Sequence, residues 1–361
     1  MQLSNQKSNF AKNLLSIGNM SNTKSTEIAS LGEFGLIDRL TSRLKKRNKS
    51  TLLSAGDDAA VIDCGKDVML LTTDMLTEGI DFDLSYFPLK HLGYKAIVRG
   101  INDILAMNGK PEQVVVALGV SAKISVEALD ELYEGMECAA EELGLDLVGG
   151  DTTASMNGLV ITISAVGRAQ REEVVYRSGA KEHDLICITS NLGAAYMGLH
   201  LLEREKRVLK DIDKPEPKFA GYEYLLERYL KPRAKSNVLA ALREEGIVPT
   251  SMIDLSDGLA SDLRQICRAS KCGARIYLER IPIARQTTEL AEEMHIDPVI
   301  AALNGGEDHE LLFTVPLEKQ EQVMRLGLVD VIGHITREES GVVLVTPDGE
   351  GIALKAQAFD R

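Results

Sequence analysis

The chain has 361 residues, 44% of them hydrophobic and 26% charged, enough for two domains with separate cores and too apolar for global disorder. Its 54 acidic side chains outnumber 41 basic ones, giving a formal net charge of -13 with no basic stripe or aromatic stacking run. That balance disfavours nucleic acid and anionic membrane as partners. Five cysteines form no CxxC pair and no apolar run approaches the ~18–20 residues that span a bilayer, so a reduced, cytoplasmic protein is the simplest account.

Residues 1–30 are polar and read as a disordered N-terminal extension, with Met20 an alternative start. Residues 31–170 are expected to form one α+β domain and 171–361 a second. The first opens with a helix over 31–43, where Leu36, Ile37, Leu40 and Leu44 fall at helical spacing. Residues 61–71 read as strand, turn and strand, so that Gly56-Asp57-Asp58-Ala59-Ala60 and Thr72-Thr73-Asp74 gather acids and hydroxyls at strand ends. Carboxylates crowded in this way oppose each other's ionisation unless a cation sits among them; a solvated acidic turn is the plainer alternative.

Residues 90–107 read as a helix with Ile97, Ile101 and Ile104 on one stripe and Asp103 one position off it, the usual place of a surface charge. A strand over 113–120 and a helix over 126–143 capped by Ser125 lead to a second acidic loop, Gly149-Gly150-Asp151-Thr152-Thr153. Glycines here let a phosphate or metal approach the backbone, or simply make a tight turn. A strand over 159–167 precedes a connector over 168–175.

In the second half, a strand over 184–189 and a helix over 193–202 are followed by 203–217, charged and polar enough for a mobile insertion. A helix over 236–245 precedes the third acidic loop, Asp254-Leu255-Ser256-Asp257-Gly258, where Asp254 or Ser256 could also cap the helix that follows. The fourth, Gly305-Gly306-Glu307-Asp308, precedes a strand over 310–315, and short strands lie around 342–345.

Four such loops suit Mg²⁺, a hard ion that takes oxygen ligands and one or two carboxylates per ion. No EF-hand spacing favours Ca²⁺, the six histidines show no zinc-ligand spacing, and neither a Walker loop nor protein-kinase motifs occur. Phosphoryl transfer here would rest on metals and positioning, which suffice for that chemistry.

Read together and in order, GDDAAV, TTDMLTEG, LGYKA…ND…AM, GGDTT, RSGA, DLSDGL and GGEDHELLF resemble the thiamine-monophosphate kinases, from about Gly32 to Phe359. The resemblance implies the two-domain α+β fold of the aminoimidazole-ribotide-synthetase-like superfamily, dimerising through the N-terminal sheet. It also implies transfer of a phosphoryl group from ATP to thiamine monophosphate, giving thiamine diphosphate. Carried over by motif, several Mg²⁺ ions would be held by Asp58, Thr72, Thr73, Asp74, Asp103, Asp151, Asp254 and Asp257. ATP would meet Gly150, Asp151, Arg177 and Ser256, and the substrate would meet Glu307, Asp81 and Phe359. The family often carries histidine before the phenylalanine of its EGxHF segment; Asp81 stands there in this chain. The acceptor is a phosphate monoester whose second pKa is near ~6, so no general base is required. Alternatives are another ATP-dependent enzyme of the superfamily or a non-catalytic nucleotide- or metal-binding relative.

Overall fold

The computed structural model describes residues 31–210 and 216–356. Helix α1 (Gly32–Thr41) belongs to an N-terminal unit that ends at Leu44, and Lys45–Asp360 form a second unit that carries both β-sheets. The expected extension over 1–30 lies outside the described residues.

The first sheet grows from β1 (Thr51–Leu53), β2 (Ala60–Cys64) and β3 (Asp67–Thr77), then, after helix α2 (Leu89–Ala106), from β4 (Lys110–Val120). Helix α3 (Val126–Leu143) crosses to β5 (Asp146–Ala154), and β6 (Val160–Gln170) returns to the middle. The order is β1-β2-β3-β6-β4-β5, antiparallel except for β4 and β5, which are joined by a helical crossover as a parallel pair requires. Val68, Leu70 and Leu76 of β3 are buried on one face, whereas Leu71 and Met75 are exposed on the other, the period-two alternation of a sheet covered on one side.

Two acidic stretches expected as loops are strand. Thr72, Thr73 and Asp74 lie inside the 11-residue β3, because it is paired along its length by β6 and at its start by β2. Gly149 to Thr153 lie in β5, held by the ladder to β4. Strand β6 likewise runs three residues into the expected connector.

Helices α2 and α3 touch through glycine. A Cβ on Gly93 would lie 2.0 Å from the carbonyl oxygen of Leu132, and one on Gly135 would lie 1.9 Å from that of Lys90. Both contacts are with backbone, which cannot rotate away. Gly135→Ala should therefore destabilise the chain by about 3 kcal/mol, read from the urea midpoint at unchanged m-value. Ser125 caps α3 as expected, accepting a hydrogen bond from the Ala128 amide at 3.2 Å.

The second half supplies β7 (Leu185–Thr189), α4 (Ala194–Leu209), α5 (Glu223–Leu230), α6 (Ser236–Glu244), β8 (Ser251–Leu255) and α7 (Leu259–Ser270). It continues with β9 (Gly273–Tyr277), α8 (Arg285–Glu293), α9 (Pro298–Asn304), β10 (Glu310–Val315), α10 (Gln320–Arg325), β11 (Val329–Thr336), β12 (Val342–Val345) and β13 (Gly351–Ala353). The seven-stranded order is β13-β12-β9-β11-β7-β10-β8. Residues 203–209, expected to begin an insertion, continue α4. Tyr86 donates to Glu203 at 2.7 Å, and buried Glu205 accepts from the Lys218 amide at 3.0 Å. Residues 211–215 lie outside the described set. One continuous apolar core runs from Val61 and Ile163 of the first sheet to Met252, Leu311 and Phe313 of the second. The two sheets are thereby fixed against each other with α2 between them, packed on β3 and β6 of the first and β8 of the second.

Candidate functional site

Helix α2 buries apolar side chains almost all round, yet carries Lys95, Arg99, Asn102 and Asp103. Residues 95, 99 and 103 are four apart and share one face. That face meets β3 on one side and β8 on the other. Carboxylate oxygens of Asp58, Asp103 and Asp254 lie within 4.8 Å of one another. Thr72 on β3 donates its hydroxyl to Asp103, and Asn102 Nδ2 donates to Asp254 Oδ2 at 3.3 Å. Asp254 sits on β8 rather than at the helix: α7 starts after Gly258 (φ 107°) with no side-chain cap.

Burial pushes the carboxyls of Asp58 and Asp254 up to about 6, aided for Asp254 by Asp58, while Arg177 works against both shifts. Asp103 is raised well above the usual carboxylate range by burial and by Asp254 and Asp58. Asp58 Oδ2 is buried without a hydrogen-bond partner. Three converging carboxylates with one orphaned oxygen fit a hard divalent cation, which would reverse the repulsion.

Arg177 closes one end of this cluster. Its Nε donates to Asp58 Oδ1 at 2.9 Å, with Nη2 on the same oxygen, and its amide donates to both oxygens of Asp57 at 3.2 Å. Ser270, at the end of α7, donates to the Arg177 carbonyl at 3.2 Å and accepts from the Gly179 and Ala180 amides at 3.1 Å.

Glu307 closes the other end, in the left-handed region at φ 62°, with its amide bonded to the Ser256 carbonyl at 2.9 Å. Lys95, wholly buried, brings Nζ to 2.7 Å from Glu307 Oε2, off the hydrogen-bond line, and His309 Nε2 lies 3.6 Å from the same oxygen. Lys95 Nζ also lies 3.9 Å from the centre of the Tyr229 ring. Burial alone would raise the Glu307 carboxyl, but Lys95, His309 and Arg99 outweigh it and hold the group well below its ordinary value.

Next to it, buried Asp308 accepts from the Gly193 amide at 2.8 Å and the Ala195 amide at 3.4 Å, at the head of α4. Burial raises its carboxyl from 3.8 to about 6, with Arg228 opposing. Folded chain thus holds this proton to higher pH than unfolded chain, so the contribution is full below about pH 4 and lost as the pH rises to about 6. Asp308→Asn should gain roughly 1–3 kcal/mol relative to the parent between pH 4 and pH 7. Urea titrations at both pH values check this; an equal difference at each would contradict it.

The remaining expected residues are placed as follows. Asp74 is held by Arg99 Nε at 2.6 Å, and Asp81 by Arg99 Nη1 at 2.8 Å. Thr73 points to the open face of the sheet and meets the Ser164 hydroxyl at 3.0 Å. Asp151 pairs with Ala117 on that same exposed face and does not join the three carboxylates; Gly150, beside it, leaves no room for a Cβ against the Val116 carbonyl (1.7 Å). Asp257 leads into α7, its amide donating to Asp262 at 3.2 Å. Phe359 lies outside the described residues. Lys95, Arg99, Asn102, His309 and Tyr229 were not expected at the site. The available signal was the polar spacing 95, 99, 103 on an otherwise apolar helix.

The two sheets, with acidic residues of both halves meeting over α2, lie in a chain whose two halves match AIR synthase related proteins. Residues 56–169 match the N-terminal domain of that family and residues 181–346 its C-terminal domain. The thiamine-monophosphate kinase of Buchnera aphidicola subsp. Schizaphis graminum is 34% identical over 91% of this chain and 98% of its own. That of Bacillus subtilis is 30% identical over 92% and 99%. The solved structure of AaThiL complexed with AMPPCP and TMP superposes with a TM-score of 0.77 at 30% identity, covering 91% of this chain and 97% of that one. The chain belongs to the thiamine-monophosphate kinase family.

Proposed function

We propose that this chain phosphorylates thiamine monophosphate with ATP, giving thiamine diphosphate and ADP. The observation that carries the reading is the approach of carboxylate oxygens of Asp58, Asp103 and Asp254 to within 4.8 Å of one another, with Asp58 Oδ2 buried and unpartnered, in a chain matched over 91% of its length by a thiamine-monophosphate kinase. These three carboxylates would hold Mg²⁺, with Asp74 and Asp257 as further acidic groups and the Thr72 hydroxyl supporting Asp103. Bound Mg²⁺ would supply charge neutralisation between two phosphate groups that otherwise repel.

The chain's own residues supply position. Asp58 orients the Arg177 guanidinium toward the nucleotide side, with Ser256 as a further ATP contact, whereas Gly150 lies on edge strand β5, four strands from β2 in the first sheet. Glu307, kept ionised by Lys95, faces the substrate side and suits a cationic thiazolium ring. No side chain need remove a proton, because the acceptor phosphate is already largely dianionic at neutral pH. Leu71, Met75 and Val115 stand exposed on the open face of the first sheet, a surface suited to a second copy of the chain. We read the protein as a homodimer through that face, and its mass by light scattering tests this. Among the described residues no helix is long and apolar enough to cross a membrane.

The decisive experiment is chromatography of products from ATP, Mg²⁺ and thiamine monophosphate, with free thiamine as the control acceptor. Thiamine diphosphate from the monophosphate alone supports the reading. ATP binding without product overturns it.

A further inference from the structure

Arg99 reaches three separate parts of the chain. Its Nε meets Asp74 Oδ2 at 2.6 Å in β3, its Nη1 meets Asp81 Oδ1 at 2.8 Å in the loop after β3, and Nη1 also lies 3.5 Å from Glu307 Oε1 in the second half. Asp81 is itself fixed, because its other oxygen accepts from the Thr77 amide at 2.8 Å and its carbonyl accepts from the Tyr229 hydroxyl at 3.2 Å. Asp74 has one oxygen on the Met75 amide at 2.8 Å and the other, among the side chains of the described residues, on Arg99. Three carboxylates thus share one guanidinium, and only Asp74 belongs to the acidic set expected to meet a cation.

We propose that Arg99, anchored by Asp81, is a positioning residue that serves as the resident counter-ion of Asp74. It holds that carboxylate in place until a divalent cation loads, and then competes with the cation for it. Asp81, which stands where the resemblance leads one to expect a histidine, acts on Arg99 and not on the substrate. The inference rests on the proposed Mg²⁺-dependent reading of the site. It adds that cation affinity is set by a tug between Asp74 and Asp81 for one arginine.

The two ends of that tug predict opposite results. Arg99→Ala removes the competitor and should lower the Mg²⁺ concentration for half-saturation by about fivefold, the scale of one part-buried ion pair. Asp81→Asn frees Arg99 to bind Asp74 more fully and should raise it by a similar factor. Arg99→Lys, which keeps the charge and loses the fork, should fall between Arg99→Ala and the parent. The measurement is thermal unfolding of the full chain across a Mg²⁺ titration without nucleotide or thiamine phosphate.

Shifts in the same direction, or no shift in either variant, overturn the inference. If Arg99→Ala does not fold, Asp81→Asn decides alone: a rise supports the proposal, and no change or a fall ends it. A parent that shows no Mg²⁺-dependent stabilisation removes the proposal as well. The predicted order without thiamine diphosphate synthesis would leave the inference standing and overturn the kinase reading. Synthesis without the predicted order would do the reverse.

Discussion

Asp254→Asn should lower thiamine diphosphate formation by about a thousandfold, the scale of a lost electrostatic group in phosphoryl transfer, and raise the unfolding temperature of the cation-free chain. The opposite signs follow from one arrangement. Asp254 is buried on β8 beside Asp58 and Asp103, and both burial and Asp58 disfavour its charge. Without a cation, removing that charge relieves repulsion. With a cation, the same change removes a ligand. An asparagine oxygen can still accept from Asn102 Nδ2, so the local fold has no reason to collapse. Product chromatography and melting curves with chelator or Mg²⁺ check both halves. Activity within tenfold of the parent, or a lower melting point in chelator, would sink the account of a cation-dependent acidic cluster.

The second large effect concerns stability. Lys95→Met should cost about 3–5 kcal/mol, because it strands the Glu307 carboxylate beside a buried apolar neighbour. Lys95 is wholly buried with its ammonium over the Phe87 and Tyr229 rings, 5.6 and 3.9 Å from their centres, and methionine is close to it in length, so the loss reports charge more than volume. Glu307→Gln placed on top of Lys95→Met should recover much of the loss. Urea denaturation of the four proteins gives the coupling energy, expected to exceed about 2 kcal/mol. A coupling near zero would mean that Arg99 and His309 suffice for Glu307. The same variants should raise KM for thiamine monophosphate more than KM for ATP.

Much of this site is legible in the sequence because its acids sit in short, glycine-marked stretches. Asp58, Asp103 and Asp254 are 45 or more positions apart in the chain, yet each was named from such a stretch or from the resemblance, and the fold brings their oxygens together. The exact helix 126–143 and the strand 310–315 are equally plain, since a hydroxyl cap announces the one and the apolar run Leu311-Leu312-Phe313 with Val315 the other. Less legible is anything decided by pairing across the sheet. Thr72, Thr73 and Asp74 look like a loop because polar residues break the apolar run, but the ladder to β6 keeps them in strand and sends Thr73 to the opposite face. The basic partners were hidden for a different reason. Lys95 and Arg99 look like ordinary helix-surface charges until the second half of the chain supplies Glu307, more than 200 positions away, to neutralise them.

Helix α2 also sets a limit on how this protein can change. Lys95, Arg99 and Asp103 ride on one rod that advances about 1.5 Å and turns about 100° per residue, so the ends of the stripe stand about 12 Å apart. Lengthening the rod by one residue between them would swing one end of the stripe into the apolar layer and leave a charge there. Drift within this stretch is therefore confined to substitution, while insertions and deletions fall to the chain's outer connections. Where two chains of this kind differ in length, the 18 residues of α2 provide a fixed ruler from which the rest can be aligned.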